Sequence, residues 1–271
     1  MTEKNTIAEA YNAGVEEEHS RLTETPLKEA EFTLTCELLF EYIPEGSTVI
    51  DIGAGTGRYA EMLLSKNCTV GTVDLSEKSL HAFKTRINGH YGNKVLFSEK
   101  SCATELEWIK DNTADAVLLM GPLYHLTCVT ERQQAVKHAY RILKPGGIIF
   151  VVFMSPYPRL NPLMETQAEQ LFDENYINSI QHNGVTNVVF KGFTVEQYRC
   201  WPAESKNLME QQGFTTERIR NIEGVGEFLT IKKGNNYNFE EKQMLLNTLR
   251  CTCENPNLLG ITSQYLYVGK K

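Results

Sequence analysis

Val49-Ile50-Asp51-Ile52-Gly53-Ala54-Gly55-Thr56-Gly57-Arg58-Tyr59-Ala60 is the stretch whose reading decides the fold of this chain. A β-branched run enters it, three glycines turn it, and an amphipathic stretch, RYAEMLLSK, leaves it; a strand passes through a tight turn into a helix. Glycine suits such a turn because the backbone bends sharply and because a ligand can approach the main chain without meeting a Cβ. Gly55-x-Gly57-x-x-Ala60 satisfies a relaxed dinucleotide fingerprint, so the loop alone leaves NAD and other adenosyl ligands open. The Gly-Lys-Ser/Thr ending that holds phosphate and magnesium is missing, which excludes a nucleotide-triphosphate loop.

Working outward, STVIDIG (47–53), CTVGTVDL (68–75), KVLFSE (94–99), ADAVLLM (114–120) and GIIFVVF (147–153) read as five strands separated by helical stretches, the pattern of a parallel sheet. Ser76 is placed to cap the helix EKSLHAFKTRI, and LKPGG stops ERQQAVKHAYRIL. Upstream, FTLTCELLFEYI (32–43) has helical spacing and ends at Pro44. Downstream, SPYPRLNP leaves the sheet, and Leu163 to Tyr198 is expected to be a helical lid, with Phe193, Tyr198 and Trp201 lining an acceptor pocket. A helix (PAESKNLMEQQGF), a strand (TTERIRNI) and a second helical stretch follow; the final ITSQYLYVG (261–269) alternates in polarity like an antiparallel strand near a sheet edge. The expected organisation is one domain: a helical cover (1–45), a ligand-binding core (46–154), an inserted cap (155–200) and the rest of the sheet (201–271).

Composition narrows the function. With 271 residues, 41% hydrophobic and 23% charged, the chain is neither disordered nor fibrous. Its 27 basic against 34 acidic residues give −7, which repels phosphate backbones, so a small-molecule partner is expected and nucleic acid is not. No apolar run reaches about 18 residues and the N-terminus is polar and acidic; a cytoplasmic protein without membrane contact is expected. The seven cysteines lack paired spacing, so neither disulfides nor a metal site are expected, and His81, His90 and His138 read as surface residues.

Asp74 closes the second strand, where a carboxylate can accept from both ribose hydroxyls of an adenosine ligand. At this point the chain resembles the class I S-adenosylmethionine-dependent methyltransferases over about residues 47–153. VIDIGAGTGRYA is similar to their first motif, VDLSE to the second, SCAT (101–104) to the adenine-contacting segment, and ADAVLLMGPLYHL to the fourth. GPLYHL is similar to a branch of small-molecule or uncharacterised bacterial methyltransferases. The resemblance implies a Rossmann-like α/β fold: a mostly parallel seven-stranded sheet with an antiparallel C-terminal strand, helices on both faces, and S-adenosylmethionine as methyl donor. Arg58 stands where strict NAD spacing counted from Gly53 would want glycine, and a donor without pyrophosphate needs no glycine there.

On that resemblance Asp51, Gly53, Ala54, Gly55 and Gly57 surround the methionine part, Asp74 the ribose, and Leu75, Cys102 and Ala103 the adenine, with Met120 and Gly121 beside them. Tyr11 and Arg21 lie in the N-terminal segment that folds over the donor in the resembling enzymes, Arg21 as a partner for its carboxylate. His125 is the candidate general base and Tyr124 the residue that orients substrate, both on the carboxyl edge of the sheet. An RNA or protein methyltransferase, a NAD-dependent oxidoreductase and a donor-binding protein without turnover are the alternatives; oligomeric state and acceptor are not legible.

Overall fold

The computed structural model describes residues 3–88, 90–156, 172–178, 184–227 and 234–271. Three helices come first: α1 (Glu3–Ala13), α2 (Val15–Ser20) and α3 (Pro26–Tyr42). α3 begins with Pro26 at its first position, and the Thr25 hydroxyl accepts from the Lys28 N–H at 3.2 Å, satisfying one of the orphan donors of the first turn. β1 (Thr48–Ile52), α4 (Arg58–Ser65), β2 (Thr69–Asp74), α5 (Glu77–Ile87), β3 (Val95–Lys100), β4 (Ala114–Leu119), α6 (Val129–Ile142) and β5 (Leu143–Met154) then alternate, as the apolar periodicity requires. Ser76 caps α5, accepting from the Ser79 N–H at 3.1 Å.

The sheet order is β3-β2-β1-β4-β5, continued by β9 (Gln264–Lys270) and then β8 (Thr215–Asn221). β9 runs antiparallel to both neighbours and all other pairings are parallel. Successive residues of β1 serve opposite faces. Ile50 and Ile52 pack with Val117, Val151 and the inner side of α6, while Val49 packs with Leu118, Phe150, Leu63 and Phe83. Burial on both faces explains the nearly continuous apolar runs of β1 and β4.

Three observations extend or change these expectations. β9 lies one strand in from the edge strand β8, as its alternating pattern suggested, yet Tyr265, Leu266, Tyr267 and Val268 are all fully buried between β5 and β8. Its apparent polar alternation comes from tyrosines whose hydroxyls are bonded, Tyr265 donating to the Cys200 carbonyl at 3.0 Å and Tyr267 meeting Thr216 Oγ1 at 3.1 Å. The expected helical lid contains instead a short helix α7 (Glu174–Asn178) and an antiparallel hairpin, β6 (Val185–Phe190) and β7 (Phe193–Tyr198). Residues 163–171 and 179–183 of that lid lie outside the described residues. Val, Thr and Phe dominate the hairpin strands, and Lys191-Gly192 turns between them with φ of 51° and 81°, the backbone of a tight hairpin turn. Third, His138 is buried, its Nε2 2.9 Å from Gln134 and 3.3 Å from Glu107.

α8 (Pro202–Gln211) and α9 (Phe239–Thr252) complete the elements, α9 packing Leu245 and Leu249 on Leu27, Ala30 and Leu34 of α3. Among the described residues no helix is long and apolar enough to cross a membrane and no cluster of three or more metal-ligating side chains forms. All seven cysteines are thiols, five buried, with Cys128 and Cys251 exposed.

Candidate functional site at the carboxyl edge of the sheet

The loop after β1 is tied to β2 by its own amides: Gly53 and Ala54 donate to the Val73 carbonyl at 2.7 and 3.0 Å. Asp74, at the end of β2, reaches back to the loop. Its Oδ2 accepts from the Gly55 N–H at 2.7 Å and its Oδ1 from the Ser76 N–H at 2.7 Å. The aspartate therefore shapes the loop as well as facing the cavity, and each carboxylate oxygen keeps a lone pair for a ligand hydroxyl.

Between the loop, the ends of β2 and β4 and the helices α1 and α2 lies a cavity whose interatomic space, open mouth included, is about 1020 Å³. Asp51, Gly53, Ala54, Gly55, Asp74, Leu75, Cys102, Ala103, Met120, Gly121, Tyr124, His125, Tyr11 and Arg21 all line it. Of the residues expected to hold the donor, Gly57 alone stays outside. It caps α4 at φ 74°, and a Cβ there would sit 2.2 Å from Phe83 Cδ2; packing, not ligand access, demands glycine. At Gly53 a Cβ would lie 2.4 Å from Pro122 Cγ, so that glycine also serves the approach of the segment after β4. Gly55 is the loop position that opens to the cavity, its nearest side chain Glu18 at 3.7 Å from a built Cβ.

Phe193, Tyr198 and Trp201 do not line this cavity. Phe193 packs on α1 with Ile7 and Ala10, and Tyr198 lies under the Arg132 guanidinium, 3.5 Å from its ring centre. The lining includes residues the sequence did not single out: Lys4, Ile7, Ala8, Glu18, Leu22, Thr56, Ser76, Ser101, Pro122 and Leu126. Half of them belong to the cover, which is pinned at several points. Lys4 Nζ donates to Thr104 Oγ1 and to Glu105 at 3.1 Å each, Tyr11 Oη meets His125 Nε2 at 2.9 Å, and Ser76 Oγ donates to Asn12 at 2.8 Å. Glu17 pairs with Lys191 at the turn of the hairpin. Within the strongly charged run Glu16–Arg21, Glu18 turns inward and holds Arg21 through two 2.9 Å bonds.

Burial sets the electrostatics. Desolvation, with the Asp74 charge adding to it, pushes the Asp51 carboxyl up to about 7. Asp74 rises to about 6, burial outweighing its two amide bonds. Asp51 finds neither a cation nor a hydrogen-bond donor among the described residues. Burial drives the His125 imidazole down to about 4 and the Tyr11 hydroxyl well above its ordinary value, so both are neutral at pH 7. A cavity with two ionisable carboxyls, a glycine whose side-chain position is open and flat apolar walls suits a nucleoside carrying positive charge.

A family described as "Methyltransferase domain" matches residues 49–147, the part of the chain that carries the loop, Asp74 and the segment after β4. The chain carries an S-adenosylmethionine-dependent methyltransferase domain. A ubiquinone/menaquinone biosynthesis C-methyltransferase of Haemophilus ducreyi is 26% identical over 70% of this chain and 71% of its own length. A tRNA (carboxymethyluridine(34)-5-O)-methyltransferase of Arabidopsis thaliana is 28% identical, but over only 41% of this chain and 25% of its own length. Among solved structures, an S-adenosylmethionine-dependent methyltransferase of Methanosarcina mazei superposes with TM-score 0.59 at 17% identity, covering 86% of this chain and 96% of that one. The names of the two sequence relatives give unlike acceptors, a quinone precursor pathway in one and a tRNA nucleoside in the other.

The methyl donor of this domain is S-adenosylmethionine, and the unpartnered Asp51 carboxyl and the open Gly55 fit its cationic end. That fit has a pH signature. In the ligand-free protein Asp51 and Asp74 hold protons below about 7 and 6; a cationic ligand and ribose hydroxyls favour the anions. Binding of S-adenosylhomocysteine should therefore release up to about one proton near pH 6 and almost none at pH 8.5, with affinity rising from pH 5 to 7.5 and flat above. Calorimetry in buffers of different ionisation enthalpy reads this directly.

Proposed function

We propose that the protein transfers the methyl group of S-adenosylmethionine to a small molecule held at the carboxyl edge of the sheet. The observation that supports this most is the cover: α1 and α2 lie across the loop, fastened at Lys4, Tyr11, Asn12 and Glu17, which leaves little room for a macromolecular acceptor. The charge of −7 works against polyanions in the same direction. Residues 1–45 then act as a cover and 155–200 as a cap on the acceptor side, and the thiol state of all seven cysteines accords with a cytoplasmic enzyme.

When bound, the donor supplies a methyl group already activated by sulfonium charge, so the chain's task is alignment and exclusion of water. Asp74 accepts from the ribose hydroxyls with its remaining lone pairs. Leu75, Cys102 and Ala103 wall the adenine, and Arg21 takes the carboxylate. Tyr11 and Tyr124 present neutral aromatic groups beside the reacting centre. His125 serves by position: its Nε2 is engaged by Tyr11, and an imidazole driven to about 4 is a poor proton acceptor at neutral pH. The acceptors that suit such a site bring a nucleophile already deprotonated.

Radiolabelled donor incubated with separate pools of small metabolites, bulk tRNA and protein tests the reading; label is expected in the small-molecule pool. Label entering RNA or protein instead overturns it, and donor binding without transfer to any pool favours a non-catalytic role. With the acceptor in hand, His125→Gln should lower kcat by about tenfold through loss of the Tyr11 contact, while the pH profile between 6 and 9 keeps its shape. Loss of an ionisation near neutrality in that variant would restore His125 as a base.

A further inference from the structure

We propose that Glu18 and Arg21 form a lock that the amino-acid end of the donor opens: the ligand carboxylate takes over the Arg21 guanidinium, and the released Glu18 receives the ligand ammonium. The proposal rests on the donor lying along the glycine loop. Arg21 Nε and Nη2 each donate to one oxygen of Glu18 at 2.9 Å, the two-pronged geometry in which a guanidinium also takes a ligand carboxylate. Glu18 thus occupies the fork in the manner of a ligand. Both residues line the cavity, and Glu18 Oε1 lies 3.8 Å from where a side chain on Gly55 would begin, beside the loop position most open to a ligand.

The two partners are not equally held. Arg21 also feels the buried Glu31 carboxylate on α3, which Lys28 anchors at 2.7 Å, and Lys28 in turn contacts Glu223 beyond β8. This row of alternating charges keeps the guanidinium in place when Glu18 leaves. Glu18 has only the six-residue α2 behind it. Once released, its carboxylate needs another cation, because an unpaired charge in an enclosed site is costly. The other cationic side chains lining the cavity are engaged. Lys4 is held by Thr104 and Glu105, and Arg58 donates to the His19 carbonyl at 3.2 Å and lies over the Phe32 ring. The ligand ammonium fills that need. Asp51 is the competing carboxylate for it, and Asp74, Tyr11, Tyr59, Cys102, Tyr124 and His125 complete the titratable lining.

A lock of this kind selects the zwitterion. A ligand with only a carboxylate would strand Glu18 unpaired, and one with only an ammonium could not compete for Arg21. Calorimetry of wild type and Glu18→Gln with three compounds separates the possibilities: S-adenosylhomocysteine, its deaminated analogue, which keeps the carboxylate without the ammonium, and 5′-methylthioadenosine, which has neither. The variant should bind S-adenosylhomocysteine about tenfold more weakly, yet bind the deaminated analogue severalfold more tightly than wild type does, because nothing has to be displaced from Arg21. Its affinity for 5′-methylthioadenosine should be unchanged. Unaltered binding of S-adenosylhomocysteine would assign the ammonium to Asp51 and overturn the lock; equal weakening of both charged compounds would reduce Glu18 to a prop and also overturn it. Should Glu18→Gln lose 5′-methylthioadenosine altogether through misfolding, Glu18→Asp carries the same opposed shifts or refutes them. A wild type that binds none of the three would defeat the donor reading itself, a result distinct from failure of the lock.

Discussion

Asp74→Asn is expected to bind S-adenosylhomocysteine about a hundredfold more weakly than wild type and to melt at a lower temperature. Two losses combine. The ribose hydroxyls give up bonds to a charged acceptor, each worth roughly 1.5–3 kcal/mol, and a hundredfold corresponds to about 2.7 kcal/mol. In addition, the native carboxylate receives two amides, Gly55 N–H and Ser76 N–H, one on each oxygen. An asparagine has a single oxygen; its NH2 must confront one of those donors, which costs about 1–3 kcal/mol of stability and loosens the loop. The gap in affinity should be wide at pH 8 and narrow toward pH 5, because burial holds Asp74 near 6 and the wild-type side chain is itself neutral below that. Equal affinities at pH 8 would move the ribose elsewhere.

Gly57→Ala is expected to destabilise the protein by about 3 kcal/mol, roughly 10 °C in melting temperature, while leaving the donor affinity of the folded fraction nearly unchanged. An L-residue at φ 74° costs about 1–2 kcal/mol, and a methyl 2.2 Å from the Phe83 ring forces α5 to shift, at roughly 1–3 kcal/mol more. The contrast with Asp74 is the informative part. Each belongs to a motif by which the fold is recognised, yet Asp74 faces the cavity and Gly57 a phenylalanine. A variant that melts like wild type but fails to bind would place Gly57 in the site after all. Thermal scans paired with calorimetry decide it.

Much of this architecture was legible because local signals and burial agree. The strand-turn-helix at Asp51–Ala60 and the cap at Ser76 fit their final environments, and the succession of β1 to β5 along the chain follows from periodicity, whereas their order across the sheet does not. The hairpin was misread because the notional lid was judged from its prolines and polar flanks, while Val188, Val189 and the Lys191-Gly192 turn carried the β signal. β9 was rightly placed near the sheet edge, but its full burial was hidden because its tyrosines count as polar in a pattern, although their hydroxyls are bonded inside the core. Within the site, residues on the loop and strand ends could be found from spacing, because the fold fixes where a strand ends. Glu18 and Lys4 could not. Their inward direction depends on how α1 and α2 dock over the sheet, and a helix with charges around most of its circumference does not announce which face is covered.

The position of β9 between β5 and β8 has a consequence for how the chain is made. Until residues 264–270 have left the ribosome, β5 shows an unpaired backbone border and β8 has no sheet to join. The nascent α/β half must therefore persist with one raw flank, the kind of surface on which neighbouring polypeptides stack. Insertion of the late strand is the event that seals it, so the yield of native protein will be governed by the interval between synthesis of Met154 and of Gln264, during which the strands β6, β7 and β8 are also made and can contact the vacant border.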